Sequence, residues 1–135
     1  MAEPILFLSS CFNGFIVAIL LLFAFIYNKL PKYLIALLSI VIFTSILNHA
    51  NTGETYKLCD RVAVIITILT LCIYILRNKC SFLSKSVIFL AVSLISVFYI
   101  YAKYNKHINR NEYILFHSGA HIIGTILIAY IIIAT

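Results

Sequence analysis

The sequence predicts an all-α membrane protein, a bundle of five transmembrane helices with little of the chain outside the bilayer. Three observations lead there. Hydrophobic residues make up 64% of the 135 and charged residues only 10%, whereas a soluble domain carries about a quarter charged. A compact domain of this size hides only roughly two-thirds of the surface its unfolded chain exposes, too little for so much apolar side chain. The apolar residues also fall in five long runs, 4–27, 33–50, 61–76, 82–102 and 113–135. Their lengths are close to the ~20 residues that cross the hydrocarbon of a bilayer.

The first run is too long for a cleavable signal peptide, carries too little charge before it, and is followed by no small-residue cleavage pattern. It is read as a span. The second follows Pro31, which suits a turn or the first turn of a helix. The third is the shortest and must borrow residues from its flanks. The fourth and fifth are apolar almost throughout. Ile, Val, Tyr and Phe are abundant, but in lipid this does not argue for strands, because backbone groups must pair within a segment or in a closed barrel. The runs do not alternate apolar with polar, which argues against a barrel. The chain reads as one domain, 1–135, with no linker and no low-complexity tract. The polar segments 28–32, 51–59, 77–81 and 103–112 are short, so successive helices are expected to be antiparallel neighbours.

Five spans divide these segments between two sides. With the amino terminus on side one, Lys57, Arg61, Lys103, Lys106 and Arg110 fall there, against Lys29, Lys32, Arg77, Lys79 and Lys85 on side two. The balance gives no orientation by the positive-inside rule. The acids Glu3, Glu54, Asp60 and Glu112 all belong to side one. The net charge of +6 does not point to nucleic acid, since cations in such loops meet lipid headgroups. Cys11, Cys59, Cys72 and Cys80 form no C-x-x-C pair and are read as small buried apolar residues. Tyr99, Tyr101, Tyr104 and Tyr113 are read as an interfacial aromatic belt.

Ionisable groups within or at the edge of the hydrocarbon are costly and mark functional sites by default. Here they gather. His49 ends span two, Asp60 begins span three, and His117 and His121 lie near the start of span five, all on side one. His107 is left over in a polar loop. On a helix, residues four apart share a face, so His117 and His121 can chelate one metal ion, and the small residues between them let a neighbouring helix come close. His49 can supply a third nitrogen. Three nitrogens leave one tetrahedral position open, the catalytic arrangement of zinc. Asp60 can take a proton there. Ser45, one turn before His49, points toward the site, with Thr44 and Asn48 beside it. Each element has a blander reading. A His-x3-His pair can be an interhelical hydrogen-bonding pair, Asp60 beside Arg61 an ion pair at a helix start, and Ser45 a hydroxyl bonded to its own backbone. The joint placement of three histidines and an aspartate at one membrane face favours the metal.

Those residues carry a family pattern. Ser45-Ile46-Leu47-Asn48-His49, then Asp60, then His117 and His121 on the last span resemble the superfamily of alkaline ceramidases, progestin and adiponectin receptors, hemolysin-III-like proteins and post-GPI-attachment lipid-remodelling proteins. The stretch Glu3-Pro4 with Ser9, Ser10 and Asn13 looks like what precedes that family's first helix. The resemblance implies Zn2+ held by His49, His117 and His121, Asp60 and Ser45 as catalytic residues, and hydrolysis of an amide or ester in a membrane lipid. Ceramide is the leading substrate class, with acylated phospholipids or GPI lipids next. The family has a seven-helix core and this chain has room for five spans. Loss of a helix pair between the Asp helix and the His-x3-His helix keeps each motif on its own side. The reduced core leaves the site less enclosed unless a homodimer closes it. The acidic cluster that would hold calcium in the ceramidases is absent.

The leading expectation is therefore a zinc-dependent intramembrane lipid hydrolase. The alternative is a non-enzymatic receptor or assembly protein with a structural zinc joining spans two and five. A proton- or ion-conducting oligomer ranks last, because side two offers no matching buried acids or histidines to complete a path.

Overall fold

The computed structural model describes residues 4–51 and 53–135. It is all helical, with α1 Pro4–Ile26, α2 Lys32–Ala50, α3 Glu54–Arg77, α4 Phe82–Asn105 and α5 Arg110–Ala134. Each is long and apolar enough to cross a membrane, so on length and composition the chain is a multi-pass membrane protein.

Local chemistry sets the helix ends. At the end of α1, Asn28 takes a left-handed φ of 49°, which Asn tolerates better than most residues. The amide of Lys29 reaches back to the Ala24 carbonyl at 2.8 Å and that of Asn28 to Phe25 at 3.3 Å. This is a Schellman stop, and Pro31 then opens α2. Ser81 caps α4 by accepting from the Ser84 amide, and Asn109 caps α5 by accepting from the amides of Asn111 and Glu112.

Three boundaries differ from the sequence reading by three residues or more. α3 begins at Glu54 rather than near residue 61, α4 continues to Asn105 rather than 102, and α5 begins at Arg110 rather than 113. Hydropathy counts apolar side chains, but a helical backbone runs on through polar residues in the headgroup zone. Gly53 precedes the first turn of α3, and Glu54 and Lys57 pair across it. Asp60 consequently stands about two turns inside α3, not at its start. Pro4, Ser9, Ser10 and Asn13 likewise lie within α1 rather than before it, while Glu3 falls outside the described residues. The cysteines are free, but none is buried, and Cys59 is exposed. In a bundle so thin, half of each helix faces outward and small apolar side chains are as stable there as inside.

The spatial order around the bundle is α3, α2, α1, α5, α4, and α3 and α4 touch only narrowly. Neighbours in sequence are thus neighbours in space for α1 with α2, α2 with α3 and α4 with α5. The extensive packing of α1 on α5 is added by the fold. No Cα atom of α2 lies within 8 Å of one in α5. Close approach is built in at Gly14, where an added Cβ would stand 2.9 Å from Ile42 Cγ2 on α2. Gly119 does the same for α5, 3.0 Å from the Phe98 ring of α4.

The interior is layered. Toward side two it is apolar, with Val17, Leu21, Leu34, Leu71, Ile75 and Ile131 in one buried cluster. Toward side one the buried residues include Ser10, Asn13, Ser45, His49 and Asn105. The outer surface is Leu, Ile and Phe, as at Leu8 and Phe82. In water such a contiguous apolar surface would aggregate, whereas lipid tails are as apolar as Leu.

Candidate metal centre

The side-one layer holds the histidines. α2 runs toward side one and ends there, so His49 lies buried at its last turn. α5 starts from side one, so His117 and His121 fall in its first half, one turn apart. Because α2 and α5 both lean on α1, their side chains meet although their backbones do not. His117 Nε2 stands 3.2 Å from His49 Nε2. The ring of His121 is centred 5.6 Å from that of His49 and 5.1 Å from that of His117. One nitrogen from each of the three rings can be chosen so that all lie within 4.8 Å of one another. Two imidazole nitrogens this close must share a proton or a cation, since lone pair facing lone pair repels.

The donor set fits a metal. Zinc with Zn–N bonds of about 2.0–2.1 Å in tetrahedral geometry sets neighbouring nitrogens about 3.3 Å apart, and the His49–His117 separation already has this value to within about 0.1 Å. Imidazole suits zinc, copper, iron and nickel alike. The three-histidine cluster can bind a metal ion, and the donor set alone does not choose which.

Asp60 is held between α2 and α3. Its carboxylate accepts from Asn48 Nδ2 at 2.8 Å and lies 3.4 Å from Thr44 Oγ1, whose one proton is nearer the Val41 carbonyl at 3.1 Å. Thr44 and Asn48 are one turn apart on α2, beside the face that carries Ser45 and His49. Among the described residues no hydrogen bond joins Asp60 to a histidine, and the ion pair present is Lys57 with Glu54 rather than Asp60 with Arg61. Ser45 is buried one turn before His49, as its spacing implied, and no hydrogen bond among the described residues ties it to an imidazole. His107 lies exposed in the α4–α5 turn, apart from the cluster.

Several residues around the histidines were named from the sequence without being assigned to the cluster. Ser10 Oγ of α1 lies 3.5 Å from His121 Nε2. Below it Thr125 Oγ1 lies 3.1 Å from Asn13 Oδ1 and 3.0 Å from the His121 carbonyl, one proton serving the two acceptors. The rings of Tyr99 and Tyr113, expected only in an interfacial belt, are centred 5.8 and 5.6 Å from that of His117. The signal for Ser10 and Asn13 was present as two polar residues on one face of an otherwise apolar span. The tyrosines gave none, because a ring at the membrane edge has the same composition whether it faces headgroups or a histidine. Ser118, between the two α5 histidines, has a buried hydroxyl with no partner among the described residues. An apolar groove between α1 and α2, lined by Leu22, Phe25, Ile35 and Phe43, faces outward and reaches no histidine.

Comparison with protein-family models, with characterised proteins and with solved structures finds no match to this chain.

Proposed function

We propose that the chain is a zinc-dependent intramembrane hydrolase of a lipid amide or ester, ceramidase-like or phospholipase-like. The observation that carries this reading is the convergence of His49, His117 and His121 at the edge of the apolar layer. An intramembrane cluster of ionisable side chains that faces the bundle interior is costly to keep without a function. The order of Ser45, His49, Asp60, His117 and His121 along the chain supports it through the resemblance described above.

Three imidazoles would hold the zinc and leave one position open. Bound zinc supplies a Lewis acid for the lipid carbonyl. The protein's own groups do the rest. A carboxylate has about four acceptor sites. Asn48 uses one on Asp60, with Thr44 alongside, which orients it and leaves capacity to take a proton from the attacking water. Ser45, on the face of α2 that carries His49, is the hydroxyl for the developing oxyanion. His49 lies at the last turn of α2, about the depth at which amide and ester linkages of lipids sit, so the carbonyl reaches the centre while the acyl chain stays among the helices.

A structural zinc in a receptor or assembly protein is favoured by a different observation. α2 and α5 share no backbone contact and meet through the histidine side chains, so a metal held between them would staple the two helices. Metal analysis by plasma mass spectrometry on detergent-purified protein tests what the two readings share. It should find about one zinc per chain, the stoichiometry of a single tetrahedral site, lost in His49→Ala and in His121→Ala. Turnover of ceramide and of diacyl phospholipid then separates them. Asp60→Asn should keep the zinc and lower the rate by about 10²–10⁴-fold. No turnover of either lipid by the zinc-loaded wild type would remove the hydrolase reading and leave the structural one, and wild-type turnover in Asp60→Asn would remove the role given to Asp60.

A further inference from the structure

We infer that Ser10 of α1 is a positioning residue of the metal centre, fixing the imidazole of His121 from a helix that contributes no ligand. This rests on the metal-centre reading above and adds α1 to it.

The first ground is where the Ser10 hydroxyl points. A serine inside a membrane helix ordinarily donates to the carbonyl four residues back. Ser39, Ser86, Ser93 and Ser96 all do so here, at 2.8–3.0 Å. Ser10, only 3% exposed, is instead placed against His121 Nε2 on another helix. The second ground is the environment of the imidazole. A histidine that binds metal through one nitrogen needs its ring orientation set, and a hydrogen-bonding group against it ordinarily does this. Asp60 does not contact His121, and Ser10 does.

The third ground is the frame around the contact. One turn below, Asn13 is fixed to its own helix through Nδ2 and the Ser9 carbonyl at 2.8 Å. Its Oδ1 accepts from Thr125, whose hydroxyl also lies on the His121 carbonyl. Thr125, one turn past His121 on α5, thereby links α5 to α1 next to the point where the His121 ring meets Ser10. On the other flank of α1, Gly14 admits α2. Thus α1 sets both ligand helices, with Ser10 at the level of the imidazoles.

The test uses Co2+ as probe in the full chain, purified in detergent and stripped with chelator. Affinity is read by competition with a chromophoric chelator, and ligand geometry by the visible d–d bands. Ser39→Ala is the control, the same chemical change at an outward hydroxyl bonded to its own helix. Ser10→Ala should lower Co2+ affinity about 10–100-fold, the range for loss of a group that orients a metal ligand, and should shift the d–d bands. Ser39→Ala should change neither. Circular dichroism checks the fold, and Ser10→Gly, which also removes the hydroxyl and adds no metal ligand, replaces Ser10→Ala if the latter does not fold. Wild-type affinity and an unchanged spectrum in the Ser10 variant would overturn the assignment while leaving the metal centre standing. Failure of the wild type to bind either Co2+ or Zn2+ would overturn both.

Discussion

The two ends of this bundle are made from the same five helices and solve different problems. Toward side two, Leu34, Ile75, Ile88 and Ile131 are almost fully buried and carry no polar atom in their side chains. Toward side one, the interior is Ser10, Asn13, Ser45 and three histidines, tied by hydrogen bonds across helices. In lipid the apolar end gains little from burial as such, because hydrocarbon surrounds the bundle anyway. Its contribution is close packing. The polar end is the reverse. Each group there would be unfavourable against lipid, so the helices must meet in one register to satisfy it. The apolar end holds the helices together, and the polar end specifies how they sit.

That division can be broken at its sharpest point. His117 contacts His49, His121, Tyr99 and Tyr113. His117→Ala should abolish stoichiometric metal binding, measured by plasma mass spectrometry, while circular dichroism shows the helix content unchanged. A smaller effect of opposite kind is expected at the other end. Ile75→Ala leaves a void in the apolar cluster and should cost about 2 kcal/mol, near the low end for buried Ile to Ala, because lipid rather than water is the reference. Unfolding in mixed detergent micelles reads that loss, and metal stoichiometry should stay at the wild-type value. If Ile75→Ala emptied the metal site, the two ends would not be separable. The smallest effect belongs to Gly14→Ala, where the new methyl meets Ile42. Crowding there should cost about 1 kcal/mol and weaken Co2+ binding a few-fold, since α1 and α2 are pushed apart just below His49.

Much of this was legible in the sequence. The five spans follow from run length, and the His49, His117 and His121 cluster follows from counting which side of the membrane each span end reaches. The helical pitch alone put Ser45 on the face of His49. What was not legible has a common cause. The role of α1 depends on which helices are neighbours in space, and in a membrane bundle apolar periodicity says little about that, because the outside is as apolar as the inside. Ser10 and Asn13 could be seen as polar, but not as facing His121 and Thr125. Asp60 was expected at the depth of the histidines and at the start of α3, with Thr44 and Asn48 around the metal. That Asn48 instead binds its carboxylate depends on the start of α3 at Glu54, which hydropathy could not reveal.

The meeting of His49 with His117 also bears on how the protein is made. The two residues are 68 positions apart and their helices touch only through side chains laid over α1. During synthesis the α1–α2–α3 portion enters the membrane with His49 in place and no partner for it. Nothing in α3 or α4 supplies the missing nitrogens. The three-histidine cluster is therefore complete only once α5 docks on α1.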